Sequence, residues 1–254
     1  LACPVLFYYK HILHFEERKV ITDDIDSLDR GTIVHHVLRD TFREFQGRAL
    51  TSSDYTSIQS ALFKSIEHHF SMRPMTGDYY LFKRLAQHKL EGFIKRHILE
   101  VPAPFIITHL ESIIQDHIVL NGTSLHFKGR VDRIDYTPSS DTYTIIDYKT
   151  GGEKQYGTTK LQTVNFDSID DIHRSITTLQ LPLYIQLYHR SSNVPLEHIN
   201  GKLILLKTNT EELLLKGSVD ERAVFHGLYM KAFTKIISDI LDMNKPFMPY
   251  DDDC

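Results

Sequence analysis

Gly129-Arg130-Val131-Asp132-Arg133-Ile134-Asp135, followed by Ile145-Ile146-Asp147-Tyr148-Lys149-Thr150-Gly151, is the stretch on which the reading of this chain turns. Both segments are rich in β-branched and aromatic residues. Thr137-Pro138-Ser139-Ser140-Asp141 between them is a turn cluster, so the pair reads as a β-hairpin. Side chains two apart on a strand share a face, which places Asp147 and Lys149 together and points Tyr148 away. With Asp132 facing the same side from the partner strand, two carboxylates and an ammonium converge. Such a trio suits phosphodiester hydrolysis: carboxylates hold a hard divalent cation and a lysine supports the attacking water or the developing charge. An Asp…Asp-x-Lys spacing also arises on ordinary solvated hairpins. Here Ile145, Ile146 and Tyr148 surround Asp147 with apolar bulk, and a charge buried among them is costly unless paired or metal-bound.

Helical patterns precede this hairpin. Ser27 or Asp29 is the expected cap of a helix over Gly31–Phe45, with Ile33, Val34, Val37, Leu38, Thr41, Phe42 and Phe45 as its buried stripe. At about 100° per residue, His35 falls at the edge of that stripe and His36 nearly opposite, facing water. A second helix runs from Thr51–Asp54 to Phe70 and a third from Asp78 to Glu100, before Pro102-Ala103-Pro104 ends the helical run. Phe105–Leu120 reads as a strand, turning at Asn121-Gly122 into the strand of Asp132. Periodicity lapses over 151–167, either a substrate-contacting loop or a plain excursion. A helix over Ile172–Arg190 puts Gln180 and Tyr184 one turn apart, with Pro182 kinking it or marking its first turn. The strand pair Ile199–Thr208 and Glu212–Lys216 and a helix over Glu221–Leu241 complete the pattern.

At 254 residues, 41% hydrophobic and 24% charged, the chain can bury a substantial core and has ordinary globular composition. No apolar run approaches the roughly 18 residues of a membrane span, and no secretory segment opens it. Two cysteines, one near each end, imply no disulfide framework and fit a reducing cytosol. A net charge of −4 is awkward for a nucleic-acid partner. Acids cluster at Asp23–Asp26, Asp167–Asp171 and Asp251–Asp253, whereas a basic run from Lys83-Arg84 to Lys95-Arg96-His97 lies on one helix, read as a solvated face. Leu1 already lies inside a motif, so the chain reads as part of a longer protein.

The wording Gly-Arg-Val-Asp-Arg-Ile-Asp then Ile-Asp-Tyr-Lys-Thr-Gly resembles the PD-(D/E)XK nuclease superfamily, most closely its RecB/AddB-type branch of helicase–nucleases. Three further stretches, in the family's order, extend the resemblance over most of the chain. Gly31 to His35 looks like the Gly-x-x-x-His opening of the first core helix, whose histidine joins the metal site. Glu111 stands where the family often carries an auxiliary acid. Gln180-Leu181-Pro182-Leu183-Tyr184 looks like its Gln-x-x-x-Tyr helix, which contacts substrate. Leu1 to Tyr9, with Cys3, resembles the start of iron–sulfur-stapled members. That likeness implies a [4Fe–4S] cluster in a longer parent only, since Cys3 and Cys254 are two of the four thiolates such a cluster takes. Without a cluster, Cys3 is a small buried residue and Cys254 a free tail.

These readings give an α/β fold of PD-(D/E)XK type, with a central mixed sheet of four or five strands flanked by helices. Residues 1–104 are the mainly helical part and 105–254 the catalytic core. The resemblance implies a Mg²⁺- or Mn²⁺-dependent DNA nuclease, an exonuclease in repair or recombination. Asp132, Asp147, the carbonyl of Tyr148 and His35 would ligate the metal, Lys149 would act on water, Glu111 would assist, and Gln180 and Tyr184 would position the strand. Arg133 and Asp135 are expected to pair on the opposite face from Asp132. A catalytically silent DNA-binding module, or one active only when docked to a helicase subunit, is the competing reading. The intact acid–acid–lysine set argues against the silent form.

Overall fold

The computed structural model describes residues 3–15, 27–71, 76–120, 122–151, 161–176 and 178–248. Pro4 opens a short helix, α1 (Pro4–Phe7), whose N-cap Cys3 accepts a hydrogen bond from the Leu6 amide through Sγ, and a π-helical turn over Tyr8–Ile12 follows. The first long helix, α2 (Ser27–Arg43), starts ahead of the expected Gly31. Ser27 and Asp29 therefore lie within it instead of capping it. Its apolar stripe is as read: Ile33, Val34, Val37, Leu38, Thr41, Phe42 and the following Phe45 are all buried. Helices α3 (Tyr55–Ser71) and α4 (Gly77–Leu99) lie where the periodicity predicts, α3 behind a Thr51–Asp54 capping box and α4 behind Thr76.

The strands are β1 (Ala49–Leu50), β2 (Phe105–Leu120), β3 (Thr123–Thr137), β4 (Thr142–Lys149), β5 (Ile199–Leu205) and β6 (Thr210–Leu213). They form one mixed sheet in the order β1-β2-β3-β4-β5-β6, antiparallel throughout except for β4 against β5. Among the described residues, six strands replace the expected four or five. Two-residue β1, paired with Phe105 and Ile106, is too short to carry an alternation that could be read. The parallel β4–β5 step requires a crossover, and α5 (Ile169–Ser175) and α6 (Gln180–Ser192) lie within it. One expected helix is thus two, broken where Ile176 becomes extended. Pro182 falls in the first turn of α6, where its missing N–H costs nothing. Helix α7 (Val219–Leu241) closes the described fold behind a Ser218–Glu221 capping box.

Helices cover both faces of the sheet. α2, α3 and α4 pack a core with Ile107, Ile146, Tyr148 and Ile204 on one face, and α6 and α7 pack another with Ile134, Ile145 and Leu203 on the other. Buried from both sides, β4 reads as the unbroken run Ile145–Tyr148 instead of alternating.

The long β2–β3 hairpin changes sides along its length. Leu110 packs with the first core and Ile114 with the second, although residues four apart on a regular strand share a face. An irregularity in register near Thr108 and a left-handed Glu111, φ +46°, lie around this switch. On the partner strand, Val131 joins the second core while Arg133 sits over Phe42 and Phe105 of the first.

Candidate metal and active site

The site forms where the sheet forks. Regular pairing of β3 with β4 runs from Thr137–Thr142 to Arg133–Ile146 and stops. Past that point Asp132 takes over the strand's role, its Oδ2 accepting from the Tyr148 amide at 2.8 Å. From α2, on the first-core side, His35 reaches into the fork. Its Nδ1 is 3.1 Å from Asp132 Oδ1 and its Nε2 is 3.0 Å from the Tyr148 carbonyl. Both partners are acceptors, so a ring protonated on both nitrogens satisfies both. Burial pulls the His35 pKa down, but the hydrogen bond to Asp132 and the charges of Asp132, Glu111 and Asp147 prevail and raise it. Glu111 completes the group, Oε1 at 3.9 Å from His35 Nδ1. One ligand atom each from His35, Glu111 and Asp132 lies within 4.8 Å of the other two. Burial, then the neighbouring charge of Asp132, pushes the Glu111 carboxyl up.

Asp147 stands beside this trio and not in it. Its carboxylate is 3% exposed at the residue level and is drawn to Lys149, with Nζ 3.0 Å from Oδ1 and 2.7 Å from Oδ2. The Oδ2 contact is an ion pair at a poor angle, which leaves that buried oxygen without a hydrogen-bond partner. Burial raises the Asp147 pKa, Lys149 opposes the rise and Asp132 adds to it. A buried carboxylate held by an ammonium beside a His–Glu–Asp trio is the donor set a hard divalent cation takes, and the residues fit one.

From the second-core side, α6 supplies the remaining contacts. Thr178 Oγ1 accepts from the Gln180 amide, Gln180 Oε1 accepts from Lys149 Nζ at 2.9 Å, and Gln180 Nε2 donates to the Tyr184 hydroxyl at 3.2 Å. Lys149 is thereby aimed between Asp147 and Gln180. The Tyr184 ring lies against Gly129, where any Cβ would overlap it. Nothing local to β3 gives Gly129 a role; its demand for close approach becomes visible only with α6 in place.

Behind the site, Arg133 and Asp135 pair as expected, at 2.6 Å (Nε–Oδ1) and 2.5 Å (Nη2–Oδ2). Arg133 is fully buried, 4.3 Å from the Phe42 ring centroid, and donates to the Tyr148 hydroxyl and to His97 Nε2. His97 therefore keeps its proton on Nδ1, which donates to Glu211. This corrects the basic run of α4: His97 is buried, Lys83 pairs with Glu67, and Lys89 donates to the Lys207 carbonyl, so it is not a plain solvated face. His36, expected in water, is half-buried with its ring 5.9 Å from that of His69. The clusters Asp23–Asp26 and Asp251–Asp253, Asn121 of the expected turn, Cys254 and most of the 151–167 loop lie outside the described residues.

The model of the PD-(D/E)XK nuclease superfamily matches residues 1–254, and the chain belongs to that superfamily. Its enzymes are generally metal-dependent nucleases, which agrees with a helix-flanked mixed sheet carrying a His–Glu–Asp trio. The crystal structure of SSO0001 is similar at 15% identity over 91% of this chain and 82% of the other, with a TM-score of 0.28. No curated protein sequence matches. Among the described residues, no helix is long and apolar enough to cross a membrane.

Proposed function

We propose that this chain is a Mg²⁺- or Mn²⁺-dependent DNA nuclease of the RecB/AddB type, an exonuclease of repair or recombination. The observation that carries the proposal is the meeting of the His35–Glu111–Asp132 trio with the buried Asp147 carboxylate and the ammonium of Lys149. Asp132, Asp147, His35 and the Tyr148 carbonyl would hold the cation, with Glu111 assisting. When bound, a divalent cation supplies Lewis acidity to the scissile phosphate. A nitrogen ligand among the oxygens tilts the preference towards Mn²⁺. Lys149, held by Asp147 and Gln180, orients the attacking water and meets the charge that develops on phosphate. Gln180 and Tyr184 position the strand from α6. A helicase partner belongs to the same proposal.

The test is degradation of end-labelled single- and double-stranded DNA in Mg²⁺, Mn²⁺ or EDTA, alongside Asp147→Ala and Lys149→Ala. Metal-dependent cleavage that falls by about 10²-fold or more in each variant supports the reading. Normal cleavage by Lys149→Ala sinks the mechanism. Absence of cleavage in every metal, with DNA still bound, favours the silent or partner-dependent module.

A further inference from the structure

The β2–β3 hairpin runs well past the metal site. Its inner face is closed by the second core, where Ile114, Ile118, Leu120, Leu125 and Phe127 pack. Its outer face is exposed, from Ile113 to Val119 on β2 and from Ser124 to Arg130 on β3. Register makes this face a ladder: Ile113 lies opposite Arg130, Gln115 opposite Lys128 and His117 opposite His126. Towards the fork the pairs run on to Ser112–Val131 and Leu110–Arg133, with Glu111 and Asp132 between them, and the charge of Arg130 acts to lower the Glu111 pKa. The ladder is therefore continuous with the site.

Its chemistry differs from that of the rest of the chain. The whole protein carries a net charge of −4, yet the alternating residues of this face include no acid. The one acid on the outer part of β2, Asp116, pairs with Arg190. Among the described residues, no ion pair engages Arg130 or Lys128. His117 and His126 lie with ring centroids 4.8 Å apart and planes inclined at 38°. Two cations followed by a histidine platform, over roughly 20 Å from Arg130 to Ser124 at ~3.3 Å per residue, match what a single nucleic-acid strand asks of a groove. Phosphates take cations and unstacked bases take flat rings. A protein surface would present no such regular succession of negative charge.

We propose that the outer face of the β2–β3 hairpin is the track on which a single nucleic-acid strand runs from the metal site, Arg130 and Lys128 holding phosphates and His117 and His126 stacking on bases. The track rests on the nuclease reading, because it supplies the substrate contacts of that same site.

Binding of fluorescein-labelled oligo-dT of increasing length, followed by anisotropy in Ca²⁺ across a salt series, tests it without requiring cleavage. Wild type should gain affinity with length. Arg130→Glu/Lys128→Glu should weaken long-strand binding at least about tenfold and flatten the salt slope by roughly 0.7 per lost phosphate contact. His117→Ala/His126→Ala should lose affinity for long strands with the salt slope kept, since stacking releases no counterions. Lys216→Glu, beyond β6 and alike in charge, should bind as wild type does. Wild-type affinity and salt slope in both double variants would overturn the track while leaving a cleaving enzyme intact. A wild type that binds with this pattern but cleaves nothing in Mg²⁺ or Mn²⁺ overturns the nuclease and keeps the track.

Discussion

Glu111 holds a left-handed backbone in the middle of a strand, a conformation that costs a residue with a Cβ about 1–3 kcal/mol. It does so where its carboxylate meets His35 and where β2 switches cores. Glycine adopts that backbone freely. Glu111→Gly should therefore gain about 1 kcal/mol in urea unfolding and lose cleavage. A variant that loses both would show that the carboxylate, not the backbone, dominates the site's stability. Metal loading provides a second measurement at this scale. A ligand at 100 times its Kd adds about 2.7 kcal/mol to stability, so saturating Mn²⁺ should raise the wild-type Tm and leave that of Asp132→Ala unmoved. A shift retained by Asp132→Ala would place the cation elsewhere.

Helix α6 and strand β3 are fitted to one another through a single missing Cβ. Gly129→Ala would force the Tyr184 ring away, with an overpacking cost of about 1–3 kcal/mol. Because Gln180 links Tyr184 to Lys149, the same variant should slow cleavage. Gly129→Ala/Tyr184→Leu should recover stability more fully than activity, and recovery of both would deny Tyr184 a role. On the other face of β3, the Arg133–Asp135 pair is wholly enclosed. Removing one partner of a buried pair costs about 3–5 kcal/mol, because the other charge is left stranded. Asp135→Ala should lose that much in chemical denaturation, whereas Arg133→Met/Asp135→Leu should lose far less.

At the scale of the whole molecule, buried histidines set the response to acid. Burial lowers the pKa of His226, whose Nε2 donates to the Pro182 carbonyl, to about 4, and lowers that of His97 as well. A folded pKa below the ordinary 6.5 means that the unfolded chain takes up the proton first. Stability is then complete above about pH 6.5 and is lost as pH falls towards 4, by about 3 kcal/mol for His226 once titration is complete. Asp40, held at about 2 against the pull of burial by Arg39, His69 and Arg43, titrates in a lower window and does not blur the effect. His35, Glu111 and Asp147, whose pKa values are raised, act in the opposite sense, so the His226 contribution is read as the difference: urea midpoints taken at pH 7.5, 6 and 5 should fall less steeply in His226→Leu than in wild type. Equal slopes would remove His226 as a cause.

Local chemistry alone fixed the stripe of α2, the span of β2, the hairpin turn before β4, and the face-sharing of Asp147 with Lys149. Each depends on neighbours within a turn or two of chain, where periodicity and turn chemistry act directly. The break before α6, the two-residue β1, the switch of cores at Glu111 and the need for Gly129 depend on partners far along the chain. The site divides in the same way: strand alternation already puts Asp147 and Lys149 together and aims Asp132 at them, while spacing alone leaves His35 at the edge of its helix stripe. His35 meets Asp132 only because α2 packs across the fork, and Asp147 stands apart because β3 and β4 diverge there. Packing over such distances is decided by the fit of whole faces, a quantity that a one-dimensional spacing does not contain.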